Sequence, residues 1–227
     1  QFGDEASLIS LATNVPVVVS NSKIDSALYA QSLGADVVLV DDGFQHRRLH
    51  RDLDVVLING EQNESQFRMF PVGYARESVT SLQRADFIFM TKKKRDFPKF
   101  RTHGFISSAS LKFCYGLGGP EMKIHSAVLV SAIAHNESFA ARVKEQGVHV
   151  HEHFEFPDHH DFSPHDLDSI LLAAVRHGAQ CVLCTEKDAV KLVELWKASV
   201  PLVTARLTVE FGDGKEEFHA AVDRLFP

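Results

Sequence analysis

The 227-residue chain has only three cysteines and one tryptophan, and no apolar run near bilayer length. A membrane-spanning helix takes roughly 20 apolar residues in succession, so no stretch of this sequence reads as one. The first residues do not read as a signal peptide either. Cys114, Cys181 and Cys184 cannot make an even disulfide framework, and a reducing compartment is expected. Basic charge is also short. Lys and Arg total 24 against 30 Asp and Glu, for a net charge of −6, which does not favour a nucleic-acid partner. Gly and Pro are at ordinary levels, 13 and 8 residues, so fibrous and disordered classes are not favoured. The chain starts at Gln1 rather than Met, and it is expected to begin inside a longer protein.

Short apolar runs are plentiful. Residues 16–20, 36–40, 54–58, 86–90, 127–131 and 181–184 are rich in Val, Ile and Leu, and most lack alternation. That suits parallel strands buried on both faces. Between them, residues 4–12, 22–33, 136–146, 164–177 and 188–197 carry apolar positions at helical spacing. Ser163-Pro164 is a helix-start pair, and Gly34, Gly147 and Gly178 stand where helices should stop. Alternating strands and helices predict an α/β fold with a mainly parallel sheet and helices on both faces. Residues 113–121 read as a turn-rich link, which puts a boundary near residue 120. The division expected is 1–120 and a smaller α/β subdomain, 121–227. Residues 202–211 then predict a strand, followed by a tight turn at Gly212-Asp213-Gly214 and a short helix.

The motif with most chemical content is Asp41-Asp42-Gly43-Phe44-Gln45-His46, directly after an apolar run. Ligands of open α/β sheets bind beyond the carboxyl ends of strands. Adjacent acids there can hold Mg²⁺, directly or through water, or simply solvate a strand end. Gly43 would permit a sharp turn. Cys181-Val182-Leu183-Cys184 has redox or zinc spacing, but it sits in an apolar run with no second Cys pair, and a buried strand is the favoured reading. His149, His151 and His153 alternate on a predicted strand, which would put all three on one face. A polar strand face is favoured there over a transition-metal site.

The stretch from Asp41 through Arg47-Arg48-Leu49-His50-Arg51-Asp52-Leu53-Asp54 resembles the hallmark of the tetraacyldisaccharide 4'-kinase family. Gly3-Asp4-Glu5, Phe70-Pro71-Val72-Gly73 with Arg76-Glu77, Phe156-Pro157-Asp158-His159-His160-Asp161-Phe162, and Thr185-Glu186-Lys187-Asp188-Ala189-Val190-Lys191-Leu192 resemble further family blocks, in family order. The resemblance implies a P-loop-NTPase-like fold and an ATP- and Mg²⁺-dependent phosphorylation of the 4'-hydroxyl of a disaccharide lipid A precursor. It also implies action at the cytoplasmic face of the bacterial inner membrane.

By the same resemblance Asp4 would be the catalytic base, paired with His159, although an acid at a helix start can be only a cap. Glu5, Asp41, Asp42 and Glu77 would lie near the metal. Arg76 would meet phosphate, and Lys187 would stand near the nucleotide. Lys23, Gln45 and His46 would contact substrate. No GxxxxGK[ST] occurs anywhere in the chain, so the loop that cradles ATP phosphates in such enzymes is missing. In the family it precedes the Gly-Asp-Glu block, beside a membrane-associated helix. The chain is therefore expected to be an inactive fragment whose membrane contact lies in the missing segment.

Smaller departures are Ala132-Ile133-Ala134-His135-Asn136-Glu137 where the family has Gly-Ile-Gly-Asn-Pro, residues 63–67 in place of a Gly-rich stretch, and Lys23 where an Arg is usual. Two alternatives stay open. Asp158-His159-His160 resembles the DHH signature of metal-dependent phosphoesterases, but residues 17–25 lack the Asp-x-Asp that class needs, and Asp52-Leu53-Asp54 lies before its strand. A non-catalytic binding module would explain the missing loop.

Overall fold

Seven strands and six α-helices make up the regular structure in a computed structural model describing residues 3–13, 15–73, 75–92, 96 and 101–226. The side chains of Asp4, Glu64, Ser108 and Ala109 fall outside that description. The order is α1 (Asp4–Thr13), α2 (Lys23–Ser32), β1 (Val55–Asn59), β2 (Phe87–Thr91), β3 (Gly104–Tyr115), β4 (Ser126–Ser131), α3 (Asn136–Glu145), β5 (His149–Glu155), α4 (Pro164–His177), β6 (Cys181–Thr185), α5 (Glu186–Leu195), β7 (Leu202–Phe211) and α6 (Lys215–Asp223).

Packing divides the chain into two units, each built from separate stretches: Gln1–Val19 with Ser110–Thr208, and Ser20–Ala109 with Val209–Pro227. This is not the division at residue 120 suggested by the turn-rich sequence. Two of the three dividing points fall inside β3 and β7, two strands that run antiparallel. In one unit Gly116 N donates to Leu202 O, and in the other Gly212 N donates to Phe105 O. A boundary inside long strands leaves no loop signature for a sequence to display.

In the first unit the strand order is β3-β7-β6-β4-β5. The pairs β4–β5, β4–β6 and β6–β7 are parallel, as the unbroken apolar runs predict. Both faces are covered. Ala127, Leu129 and Leu183 pack with Phe139, Ala140 and Val143 of α3. Val128, Val130, Val182 and Cys184 pack with Ile170 and Ala174 of α4 and Ala189 and Leu192 of α5. Successive residues of β4 thus feed opposite cores, which is why the strand is apolar throughout. α1 packs against α5. The CxxC thiols lie in this interior, where burial pushes Cys181 up to about 12 and Cys184 well above its ordinary value. They are free and buried, in keeping with a strand rather than a reactive pair.

In the second unit β1 pairs parallel with β2, and β2 with β3. Ile58, Ile88 and Met90 form one core. Phe87 and Phe89 form another with Phe211, Phe218 and Ala221, where the rings of Phe89 and Phe218 meet edge to face at 5.6 Å. The runs 16–20 and 36–40, expected as strands, form none. Leu39 is 93% exposed. Apolar composition supplies a tendency to be buried, but a strand also needs a hydrogen-bonding neighbour, and these runs have no ladder partner among the described residues. Conversely, the sequence shows no clear signal for most of β3, whose Ser-rich centre breaks the apolar pattern.

Candidate functional site

In the second unit, Asp41-Asp42-Gly43 makes a turn after residue 40. Asp42 takes the left-handed conformation, φ 50°, a role sequence reasoning gave to Gly43. The glycine serves another purpose. A Cβ there would sit 3.0 Å from a methyl group of Val40, so a larger residue would fit only if Val40 gave way by a few tenths of an ångström. Asp42 Oδ2 accepts from Arg76 Nη1 at 3.1 Å across 34 residues, in an exposed pair. The next residue, Glu77, is engaged by a different arginine: Arg84 Nη2 lies 2.7 Å from its Oε2. That hydrogen bond holds the Glu77 carboxyl below its usual range. Arg84 also covers the Phe44 ring, 4.6 Å from its centroid.

Beyond the turn lies a cleft of about 470 Å³ that brings together Lys23, Gln45 and His46, with Arg47 and Arg48 also on its wall. Ser22, the N-cap of α2, lines it too. A helix N-terminus and three cationic side chains suit an anion. The continuation of the motif is a brace. Arg51 meets Asp54 through two nitrogens at 2.6 and 2.9 Å, and its Nη1 donates to the carbonyls of His46 and Leu49 at 2.8 and 2.7 Å. The Arg-Asp-Leu-Asp segment therefore ties the Gln45–His46 turn to the start of β1.

In the first unit, β5 ends at Glu155 and the chain turns at Pro157–His160. His159 adopts φ 64°, and its N–H donates to Ala132 O at 3.3 Å. Lys187 Nζ lies 2.7 Å from Asp158 Oδ1 and 3.2 Å from His159 Nε2. Lys191 Nζ donates to the carbonyls of His159 and His160 at 3.0 and 3.1 Å. The ammonium of Lys187 holds the Asp158 carboxyl below its ordinary value. His160 is turned away to another task. Its Nε2 is 3.0 Å from Asp166, and its ring stacks on Phe156 at 4.5 Å.

Asp188 sits under this turn, 3% exposed. Its Oδ2 accepts from Thr185 Oγ1 at 2.7 Å and from Ala132 N at 3.2 Å. Burial raises its pKa, and these hydrogen bonds oppose the rise. The cap of α5 is Thr185, whose hydroxyl accepts from Asp188 N. The helix therefore starts at Glu186, two residues before the start expected from the sequence.

Asp4 opens α1, and its side chain lies outside the described residues, as do Lys93, Lys94 and Arg95 of the basic stretch. Glu5 and Asp41 are exposed. Among the described residues no three His, Cys, Asp or Glu side chains gather as a metal cluster. That lends nothing to a phosphoesterase reading of Asp158-His159-His160, whose side chains are engaged with Lys187 and Asp166.

The expectation that His149, His151 and His153 share a face is overturned. A register shift in β5 pairs Val150 with Ala127 but Glu152 with Val128, so His151 is an extra residue that reverses the alternation. His151 stacks on His177 at 5.4 Å. His153 points to the other face, against Phe139, with Ser131 Oγ 2.8 Å from its Nε2. Sequence reasoning assigned no separate role to Arg47, Arg48, Arg51, Arg84 or Lys191. For Lys191 a signal was present: it follows Lys187 by four residues, one turn along the same helix face.

The whole chain, residues 1–227, matches the family model described as tetraacyldisaccharide-1-P 4'-kinase (LpxK). A tetraacyldisaccharide 4'-kinase of Bdellovibrio bacteriovorus is 32% identical over 99% of this chain and 71% of its own length. One from Paramagnetospirillum magneticum is 33% identical over 91% of this chain and 63% of its own length. Among solved structures, the crystal structure of LpxK from Aquifex aeolicus, described as an "apo" form in complex with ATP, superposes with a TM-score of 0.70 at 24% identity. It covers 99% of this chain and 69% of that one. The chain thus spans roughly two thirds of the length of the proteins it is similar to.

Proposed function

As this chain belongs to the tetraacyldisaccharide-1-P 4'-kinase family, we propose that it carries the acceptor-side and metal-side chemistry of an ATP-dependent kinase. That kinase transfers a γ-phosphoryl group to the 4'-hydroxyl of a tetraacyldisaccharide 1-phosphate. The observation that carries the reading is the cleft where the Asp41–His46 motif brings Gln45 and His46 beside Lys23, Arg47 and Arg48. Its three cations suit a phosphate-bearing sugar, and the amide and imidazole can fix hydroxyl groups.

Phosphoryl transfer asks mainly for positioning and charge neutralisation. In this reading Asp4 removes the proton of the acceptor hydroxyl, and His159 supports that carboxylate electrostatically. Arg76 contributes a guanidinium to phosphate oxygens. Asp41 and Asp42 offer hard oxygen donors of the kind Mg²⁺ takes one or two at a time, with water and phosphate completing its shell. Glu77 serves that ion less directly, because Arg84 occupies it. The magnesium would neutralise developing charge on the phosphates. No helix among the described residues is long and apolar enough to cross a membrane, and work at the cytoplasmic face of the inner membrane belongs to the same proposal.

The test is Asp4→Ala in the gene's entire product. Lipid-dependent ATP consumption should vanish while circular dichroism stays unchanged. Normal turnover would remove Asp4 from the mechanism.

A further inference from the structure

The Lys187–His159 contact carries chemical information beyond proximity. A lysine ammonium has three donors and no acceptor, whereas a neutral imidazole has one nitrogen of each kind. At 3.2 Å from Lys187 Nζ, His159 Nε2 is the acceptor, and the ring hydrogen then sits on Nδ1. Free imidazole side chains in water favour the opposite tautomer, with hydrogen on Nε2, so this contact selects against the intrinsic preference. Asp158 anchors the ammonium at 2.7 Å. The Lys187 side chain is only 20% exposed, which limits the alternative positions open to it.

The backbone beneath the ring is held as well. His159 occupies the left-handed region, φ 64°, which is costly for any residue but glycine. Lys191 Nζ bridges the carbonyls of His159 and His160, on two successive peptides, 3.0 and 3.1 Å away, and reaches Asp161 at 3.4 Å. Lys187 and Lys191 are one turn apart on α5, and both reach the 158–161 turn. Asp188 joins the same helix turn to Ala132 at the end of β4.

We infer that Lys187 is a positioning residue that fixes His159 as its Nδ1–H tautomer, with Lys191 holding the backbone that carries the ring. This rests on the proposed reading of His159 as the partner of the catalytic carboxylate. A carboxylate only accepts hydrogen bonds, so the ring can support it only through a nitrogen that bears hydrogen. By taking Nε2, Lys187 leaves Nδ1 as the donor edge and removes the alternative in which the ring would face a carboxylate lone pair to lone pair.

The test separates the lysine's hold on the ring from the role of the ring. In the chain with ¹⁵N-labelled histidine, at about pH 8, above the ordinary histidine value, two-bond ¹H–¹⁵N correlations distinguish protonated from bare ring nitrogens. His159→Gln identifies the His159 signals by their loss. The expected result is a bare Nε2 in the wild type and in Lys187→Arg, which keeps a donor, and a protonated Nε2 in Lys187→Met. Unchanged His159 ring signals in Lys187→Met overturn the inference, whatever the activity. In the gene's entire product, Lys187→Met should lower kcat at least roughly tenfold, a part of the roughly 10²–10⁴-fold that proton-transfer groups supply, with little change in KM for the lipid. Lys187→Arg should recover most of it. A switched tautomer together with a fully active His159→Gln would uphold the lysine's hold on the ring and remove His159 from the mechanism instead.

Discussion

Arg51 and Asp54 meet fork to fork at 2.6 and 2.9 Å, each side chain only 15% exposed, and the same guanidinium spans two backbone carbonyls of the preceding turn. One side chain thus fixes the loop that presents Gln45 and His46. Arg51→Met should cost about 2 kcal/mol, the scale of losing charge-assisted hydrogen bonds, read as a lower denaturation midpoint. Arg51→Lys should recover less than half, since an ammonium cannot reproduce the planar fork. Full recovery by lysine would show that charge alone matters.

Glu77 is held below the ordinary carboxylate range, first by its hydrogen bond from Arg84. A carboxyl depressed in the folded state contributes stability that is complete above its unfolded value and is lost as pH falls through the folded value. The gap in denaturation midpoint between wild type and Glu77→Gln should therefore be widest at neutral pH and close as the medium becomes acid. A gap independent of pH would mean that the contact does not depend on charge.

At the start of α4, Ser163 and Asp166 cap each other, with Ser163 N and Oγ both 2.8 Å from Asp166 Oδ2. The backbone hydrogen bond from Ser163, and next that with His160, bring Asp166 down from 3.8 to about 2. Its stabilisation is complete above the ordinary value and drains away between 3.8 and about 2. Acid titration of wild type against Asp166→Asn checks that window. Ser163→Ala, by removing the cap, should cost about 1 kcal/mol at neutral pH.

Asp188→Ala would leave Ala132 N–H and the Thr185 hydroxyl without their shared acceptor. The expected loss is about 1–3 kcal/mol, the cost of stranding buried polar groups, measured by urea unfolding. Asp188→Asn retains an acceptor oxygen and should lose less.

All three thiols are buried, so a thiol reagent should label none of them rapidly in the native chain and all three after unfolding in urea. Fast native labelling of Cys181 or Cys184 would contradict their place inside β6.

Much of the first unit is legible in the sequence. The runs at 127–131 and 181–184, and the Ser163-Pro164 start, become β4, β6 and α4 almost residue for residue. These elements are locally consistent: period, caps and burial agree. The failures have a common cause. Residues 36–40 are as apolar as β6 but lack a ladder partner among the described residues, and β3 forms despite a Ser-rich centre because β2 and β7 flank it. Of the candidate site, the Asp41–His46 motif and His159 stand out in the chain by themselves. Their arginine and lysine partners do not, since Arg84 reaches Phe44 across 40 residues and Lys191 reaches His159 across 32.

The linear order of residues determined the α/β class, the parallel runs, the helix caps and the motifs that mark a kinase family, because each depends on neighbours within a few positions. Tertiary structure alone decided which carboxylate each cation meets, which histidines share a face once His151 shifts the register of β5, and which nitrogen of His159 faces Lys187. Those outcomes depend on distances between segments far apart in the chain, and local sequence does not encode them.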